Sequence, residues 1–417
     1  MKKKSEDMSA KRTKEIALLA LFSRVVCTIL AFVSHYGLQA NDQRNTILFD
    51  EQTASTYTYE IISPLIQWDG VHFLNIALHG HDAVLSHAFF PGLPMVMRGL
   101  YSIMPSISGD VTMDFSIFGL VFVQVSFILA SVGLYKLSCV FLLDEKTAFR
   151  STLFYVFASS NIFMSALYTE SPFSMFTFWG IYWLHVRGNL GVASIMFTCA
   201  SVLRSNGILA IVYLMMFGIK TSRIYDAIVA AMVVYLPYLL YSMNSWNQYC
   251  DGHNPQSWCG TKSIYEHVQM AFWRVSFLSY WNMGNWPYFL LMTPSLLVAL
   301  HAPFYYFKDL MAHEGDKLVK KSMNLPEFLR LAIGEWTFPF LVQMGILTFF
   351  TVFIANCQIL TRILSSCPLY FWTINKITTS KPSEGRLAMF LSKTLWTLHF
   401  TYYLVGPLVF SNGYNWT

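Results

Sequence analysis

Charged side chains are scarce in this sequence of 417 residues, where they make up 12% while hydrophobic residues make up 55%. A soluble domain of this length would carry roughly a quarter charged residues. The seven cysteines include no CxxC pair, which argues against structural zinc. The net charge of +5 comes without a basic stripe or zinc-finger spacing, so we expect no nucleic-acid partner. The composition is typical of an integral membrane protein.

Long apolar runs take the place of charge along the chain. A membrane span needs about 20 mostly apolar residues, and the first run, 16–38, follows a basic N-terminus and has no A-x-A cleavage site. We interpret it as a first span rather than a removed signal. Further runs bring the prediction to about eleven spans, some of them short: 115–143, 151–168, 172–186, 192–203, 208–219, 227–243, 286–307, 337–356, 360–374 and 388–410.

The basic residues between these runs fall mostly on one side of the predicted membrane. The positive-inside rule then places the N-terminus in the cytosol and the C-terminus in the lumen. We expect one integral membrane domain, 1–417, with luminal loops at 39–114 and 244–285. Both loops are rich in Trp, Tyr and His, which predicts interfacial helices packed on an all-α bundle. No internal repeat is visible, which weakens a transporter interpretation.

Asp69 is the strongest candidate for chemistry. It lies in the first luminal loop within Gln67-Trp68-Asp69-Gly70-Val71-His72-Phe73. Apolar and aromatic neighbours would partly desolvate the carboxylate, which raises its pKa toward that of a useful general base. The alternative is that Asp69 caps a helix that starts at Gly70, since Asp favours N-cap positions.

Four histidines lie close together in the same loop. His72, His79, His81 and His87 fall within twenty positions, but they lack a tight ligand spacing with a carboxylate partner. Histidines also serve as hydrogen-bonded structural residues. We therefore predict no metal site there.

Three further charged residues stand at luminal helix ends or in apolar runs. Glu170, before Pro172, fits a cap or turn as well as a site carboxylate. Arg204 closes a luminal turn, and Arg362 lies inside the apolar run 360–374. Two guanidinium groups would suit a phosphate, whereas the alternative is snorkelling to lipid head groups. In the second luminal loop, Cys250 and Cys259 would form a disulfide in an oxidising lumen, with free thiols as the alternative.

Several segments, spread in order over nearly the whole chain, resemble the PIG-V family of mannosyltransferases. The most specific are Trp68-Asp69 and Phe89-Phe90-Pro91-Gly92. His81, where a Tyr is expected, and a divergent loop at 308–335 depart from the family pattern. The other matching segments are Tyr168-Thr169-Glu170-Ser171, Arg204-Ser205-Asn206-Gly207, Trp258-Cys259-Gly260, Tyr280-Trp281-Asn282, Arg362-Ile363-Leu364-Ser365-Ser366 and Asn415-Trp416-Thr417.

The resemblance implies a GT-C-type, inverting enzyme of the endoplasmic reticulum membrane. Such an enzyme would take mannose from dolichyl-phosphate-mannose and add it, in α1,6 linkage, to the first mannose of the glycosylphosphatidylinositol (GPI) precursor lipid. The resemblance makes Asp69 the base. We infer in addition that Arg204 and Arg362 would steady dolichyl phosphate, and we predict that Trp68, His72 and Glu170 also contact substrate. No cofactor is implied, while membrane lipids surround the chain and the existence of an accessory subunit stays open.

Three other functions compete with this interpretation. A transporter would carry buried mid-membrane charges, for which Arg24 and Lys136 qualify, and repeat symmetry, which is not seen. A second transferase, using another dolichol-linked sugar or acceptor, would share the same physical features. A structural subunit of a membrane complex would not need Asp69.

Overall fold

The fold was obtained as a computed structural model, which describes residues 2–38, 61–142, 144–251, 255–320, 334–379, 386–414 and 416. Within these ranges the chain forms α-helices joined by short 3-10 turns, with no β-strand. The predicted all-α fold is therefore confirmed. Residues 39–60 and 321–333, which belong to two of the predicted loops, lie outside the described ranges.

The described residues contain fifteen α-helices. In chain order they are α1 (Lys2–Leu38), α2 (Asp69–His79), α3 (Gly92–Ile103), α4 (Val111–Phe141), α5 (Glu145–Val156), α6 (Glu170–His185), α7 (Leu190–Leu203), α8 (Ala210–Lys220), α9 (Ile224–Tyr249), α10 (Ile264–Trp273), α11 (Trp286–Lys320), α12 (Phe338–Phe353), α13 (Leu360–Leu364), α14 (Pro368–Thr378) and α15 (Arg386–Phe410).

Four helical stretches in the described residues are long and apolar enough to cross a membrane. They are Ala10–Gly37, Val111–Phe141, Ile224–Tyr249 and Met283–Lys308. Shorter apolar helices cover Leu190–Leu203, Ser205–Lys220 and Phe338–Phe353. The multi-pass character is confirmed, and the count of about eleven spans stays a prediction.

The predicted span 151–168 is wrong as a continuous helix. Helix α5 ends at Val156, and a 3-10 turn follows at Asn161–Met164. Arg24 of α1 enters this break, where its NH1 donates to the Asn161 carbonyl at 2.9 Å and to Ser165 Oγ at 2.8 Å. In a regular helix the Asn161 carbonyl would accept a backbone N–H. Here the buried guanidinium binds that carbonyl, together with the Ser165 side chain.

The predicted span 360–374 is also interrupted. Helix α13 ends at Leu364, and α14 begins at Pro368. Proline is favoured in the first turn of a helix, where its missing N–H costs no hydrogen bond, and it disrupts a helix interior. The break places Arg362 in a short helix beside an irregular segment, rather than in the middle of a long span.

Both predicted luminal loops contain helices packed on the bundle. In α3, Leu93 and Met97 are fully buried while Met95 and Ile103 are exposed, so the helix buries one face. In the second loop, Cys250 and Cys259 form the expected disulfide. The position of these helices at a membrane surface stays a prediction.

The two ends of α6 mark the two ends of the bundle. Glu170, its first residue, meets other residues that were predicted to face the lumen. At the opposite end, the ring of His185 lies 5.3 Å from that of Trp336, and Lys220 Nζ lies 4.3 Å from the same Trp336 ring. Segments predicted to face the lumen therefore meet at one end of the bundle, and segments predicted to face the cytosol meet at the other. Spans that cross the membrane in alternating directions require this arrangement.

Candidate active site

Four charged side chains from distant parts of the sequence form one cluster. Asp69 opens α2, Glu170 opens α6, Arg204 follows α7, and Arg362 lies in α13. Salt bridges of 2.7 to 2.8 Å join Arg204 to Glu170, Glu170 to Arg362 and Arg362 to Asp69. We call these four residues the ion cluster. The structure thus brings together four of the six site residues that the sequence predicted.

Glu170 is the enclosed centre of the ion cluster, with its side chain 1% exposed. Its Oε1 accepts from Arg204 NH1 at 2.7 Å and from Arg362 Nε at 2.9 Å. Its Oε2 is buried and has no hydrogen-bond partner among the described residues. Two flanking cations stabilise the ionised form, so Glu170 is suited to holding both arginines and poorly suited to taking a proton.

Arg362 spans two carboxylates. Its Nε and NH2 contact Glu170, and NH2 also lies 2.8 Å from Asp69 Oδ2. The guanidinium carbon lies 4.4 Å from the centre of the Phe163 ring and 4.9 Å from that of Tyr168, so aromatic rings cover the cation. A side chain 13% exposed and paired in this way does not snorkel to head groups.

Asp69 is the open member of the ion cluster, with its side chain 34% exposed. Oδ2 receives Arg362, while Oδ1 has no partner in the part of the chain that the structure describes. The helix begins at Asp69 itself, after Trp68. The Asp69 carboxylate accepts a hydrogen bond from Arg362 and none from an amide of the first helical turn. The structure therefore contradicts the capping alternative. Oδ1 remains available to an incoming hydroxyl.

Tyr168 fixes the backbone at this position. The Asp69 amide donates to Tyr168 Oη at 3.1 Å, and the tyrosine hydroxyl donates to the Gln67 carbonyl at 3.2 Å. Between them Trp68 adopts φ 53°, a conformation that is rare for a bulky residue. The strained turn aims Asp69 at Arg362, as strain at functional sites often does.

Trp68 and His72 lie near Asp69 in the sequence, and among the described residues neither side chain donates a hydrogen bond to the ion cluster. Trp68 packs in the apolar cluster of Leu65 and Phe410. His72 stacks on the Phe89 ring with centroids 4.6 Å apart. Burial lowers the pKa of His72, although the nearby Asp69 carboxylate opposes that shift. The imidazole is thus neutral near pH 7, and its contact with substrate stays a prediction.

The other loop histidines bind protein groups. His81 Nε2 lies 3.0 Å from the Phe89 carbonyl, and His87 Nδ1 lies 3.1 Å from the Tyr241 hydroxyl. Burial, followed by the neighbouring His81, lowers the pKa of His87 to about 4. Among the described residues no three His, Cys, Asp or Glu side chains are grouped so that they could hold a metal ion. These contacts agree with the alternative that the loop histidines serve as hydrogen-bonded structural residues.

A narrow crevice lies beside the ion cluster. Within the described ranges, Arg204 Nε and NH2 and Arg362 NH1 donate no hydrogen bond. These guanidinium donors, together with hydroxyl and amide groups, suit a phosphate or a sugar. The lining residues are Glu170, Phe173, Arg204, Asn206, Arg362, Ile363, Ser365 and Ser366.

Sequence reasoning missed Tyr168 and Phe163. Neither carries a charge, and both lie in the run that was predicted to be a continuous span. Their roles depend on the break after Val156, which turns this segment toward Arg362. An arginine in an apolar stretch was the available signal, because such a cation needs carboxylate and aromatic partners.

The sequence is similar to known proteins over most of its length. The family model described as Mannosyltransferase (PIG-V) matches residues 13–417. A GPI mannosyltransferase 2 of Gibberella zeae is 25% identical over 374 residues, covering 82% of this chain and 85% of that protein. A GPI alpha-1,6-mannosyltransferase 2 of Homo sapiens is 26% identical over 367 residues, covering 75% and 72%. A crystal structure of the Archaeoglobus fulgidus oligosaccharyltransferase aligns with a TM-score of 0.42 at 10% identity, covering 94% of this chain and 53% of that one.

Proposed function

The chain belongs to the PIG-V mannosyltransferase family, and from that premise we propose that it adds mannose in α1,6 linkage to the first mannose of the GPI precursor. The donor in this proposal is dolichyl-phosphate-mannose. The observation that carries it is the ion cluster, in which a partly exposed carboxylate, Asp69, contacts Arg362, and Glu170 links Arg362 to a second arginine. That combination is what an inverting transfer from a sugar phosphate needs.

In the proposed reaction Asp69 Oδ1 is the general base. The acceptor hydroxyl attacks C1 of the mannose from the face opposite the phosphate. The oxygen–C1 bond forms while the C1–phosphate oxygen bond breaks, which inverts the anomeric centre. The hydroxyl proton passes to Asp69, and dolichyl phosphate leaves with the bonding electron pair. No metal and no organic cofactor takes part in this scheme.

Arg362 would couple the two charge changes. The ion cluster holds two cations and two carboxylates, so its formal charge is zero before reaction. When Asp69 takes the proton, the cluster gains one positive charge as the leaving phosphate gains one negative charge. Arg362, which contacts Asp69 directly, then has a stronger attraction for the phosphate. Electrostatic stabilisation that grows along the reaction is the kind that accelerates it.

Arg204 and Glu170 would complete the donor site. Glu170 holds Arg204 at 2.7 Å through NH1, which leaves Nε and NH2 of Arg204 beside the crevice. A guanidinium held through one edge can present the other edge to a phosphate. Glu170 thus positions the arginines, and Trp68 and His72 would line the approach of the sugar.

We place the enzyme in the endoplasmic reticulum membrane, with its N-terminus in the cytosol, its C-terminus in the lumen and the ion cluster facing the lumen. The lipid anchors of donor and acceptor agree with a site at the end of an apolar bundle. An accessory subunit is compatible with this arrangement.

Complementation tests the proposed function. The chain is expressed in cells that lack the second mannosyltransferase of GPI assembly, and surface GPI-anchored proteins are measured together with precursor lipids. We expect anchored proteins to return and the one-mannose precursor to disappear. If the precursor persists at normal chain abundance while another mannosylated lipid increases, the chain is a dolichol-dependent transferase with a different acceptor.

A further inference from the structure

A second opening lies in the luminal part of the chain, in the loop that the mechanism above does not use. It is an open groove of about 410 Å³ between the end of α9 and the start of α10. This volume is within the roughly 300–1,000 Å³ of small-molecule sites. We call it the rim groove, and its lining residues are Ser242, Trp246, Trp258, Gly260, Thr261, Lys262, Ser263, Ile264 and Glu266.

The walls of the rim groove combine aromatic rings with hydroxyl groups. Trp258 is 5% exposed and stacks on His267 with ring centroids 5.3 Å apart. The adjoining disulfide between Cys250 and Cys259 ties this wall to the end of α9. Thr261 and Ser263 add hydroxyl groups, and the indole of Trp246, which is 43% exposed, offers an aromatic face. Hydroxyls beside indole rings suit sugar and inositol rings.

Lys262 supplies an uncompensated positive charge. Within the described residues its Nζ donates only to the neutral Sδ of Met270, at 3.2 Å. No carboxylate lies within salt-bridge distance of Lys262 among the described residues, and Glu266, although it lines the same groove, is not paired with it. A lysine in this position is suited to an anion such as a phosphate.

The groove lies where a lipid phosphate would be. Helix α9 is long and apolar enough to span a membrane, and Ser242 and Trp246 fall in its last two turns. On either side of Ser242, Leu240 and Met243 are 57% and 63% exposed, which gives acyl chains an apolar surface to follow. Tryptophan is enriched at the level of lipid head groups.

A hydrogen bond links the wall of the groove to a neighbour of the ion cluster. Tyr265, which follows the groove residue Ile264, shares a hydrogen bond of 2.9 Å with Ser205 Oγ. Ser205 is adjacent to Arg204, which holds Glu170. A molecule seated in the groove therefore lies on the same rim as the crevice, separated from it by the start of α10.

We propose that the rim groove binds the lipid phosphate and inositol ring of the acceptor, with Lys262 on the phosphate and Trp246 and Trp258 beside the ring. This inference rests on the proposed function and names the part of the enzyme that distinguishes the acceptor from the donor. The sugar end of the acceptor then reaches toward Asp69, and the donor phosphate occupies the crevice at Arg204.

The test is a steady-state kinetic comparison with purified protein in detergent, a mannosylated GPI precursor as acceptor and dolichyl-phosphate-mannose as donor. Lys262→Gln and Trp246→Ala should each raise the KM for the acceptor about tenfold, as expected for loss of a contact to a charged group or of an aromatic face. The donor KM and kcat should stay near those of the parent protein. Trp286→Ala, which removes an indole that is 60% exposed outside the groove, is the matched control.

Two results would overturn the proposal. One is an acceptor KM in both groove variants equal to that of Trp286→Ala. The other is an equal loss toward donor and acceptor, which would indicate general damage to the fold. Failure of the proposed function itself looks different, because the unmutated protein would then transfer no mannose to this acceptor.

Discussion

At the scale of single residues, Arg362 is the side chain that makes Asp69 and Glu170 one site. The two carboxylates lie 293 and 192 positions from it in the sequence, yet both contact its guanidinium within 3 Å. A planar fork can serve two carboxylates at once, whereas an ammonium group is a single point charge. The position of Asp69 therefore depends on the shape of the cation as well as on its charge.

Replacing Arg362 separates these two contributions. Arg362→Lys keeps the charge but not the fork, and Arg362→Ala removes both, so we expect transfer to fall in both variants and further in Ala. A loss of about 10²-fold is reasonable for Arg362→Ala, as for the removal of one electrostatic stabiliser of a transition state. The measurement is mannose transfer over a range of donor concentrations. Parent-like donor dependence in both variants would show that Arg362 has no role toward the donor.

The residue types at this site could be predicted, but their pairing could not. Asp69 stood out through its aromatic neighbours, and Arg362 through its place in an apolar run. Nothing in the local sequence joins Arg362 to Glu170, because their contact arises from the packing of α13 against the start of α6. The capping alternative for Asp69 was equally reasonable from the sequence, and only the position of Arg362 excludes it.

At the scale of elements, the break after α5 shapes the end of the bundle that holds the ion cluster. Phe163 and Tyr168 reach Arg362 from this irregular segment, and Arg24 holds the segment from the other side. The guanidinium of Arg24 also lies 3.7 Å from the Phe127 ring centre and contacts Asn161 Oδ1. Hydropathy averaged over a span-length window does not detect this break, because Ser159, Ser160 and Asn161 are few among apolar residues.

Arg24 should therefore be a stability residue. We expect Arg24→Leu to destabilise the protein by about 3 kcal/mol, because several buried acceptors lose their donor at once. Thermal unfolding in detergent measures the effect. Val25→Ala, at the next position of α1 where the side chain is 47% exposed, is the control and should shift the midpoint little. Equal midpoints for the two variants would mean that Arg24 does not hold the break.

At the scale of the whole molecule, charged side chains gather at the two opposite ends of α6. The ion cluster gathers at one end of α6, and Lys220, Trp336 and His185 gather at the other. The all-α fold and the positions of most helices could be predicted from the sequence, since apolar runs and basic loops reflect the membrane directly. The two interrupted spans could not, although Pro368 was a visible sign of the second.

The topology predicts opposite accessibility for two exposed positions. Ala83 lies in the first loop that is predicted to be luminal, and Arg187 follows α6 on the predicted cytosolic side. A cysteine introduced by Ala83→Cys should react with a membrane-impermeant thiol reagent only after the luminal side is opened. Arg187→Cys should react once the plasma membrane alone is permeabilised, with the parent chain as background. Labelling of both from the same side would contradict the topology.

The most direct test of the whole scheme is the rate of mannose transfer by Asp69→Asn. Asparagine keeps the shape and an oxygen for Arg362 but cannot take the acceptor proton. The proposed base predicts a fall of about 10²–10⁴-fold, with normal abundance and accumulation of the one-mannose precursor in cells. Asp82→Asn, which changes an exposed aspartate of the same loop, should stay active. Full transfer by Asp69→Asn at normal abundance would contradict the assignment of Asp69 as the base.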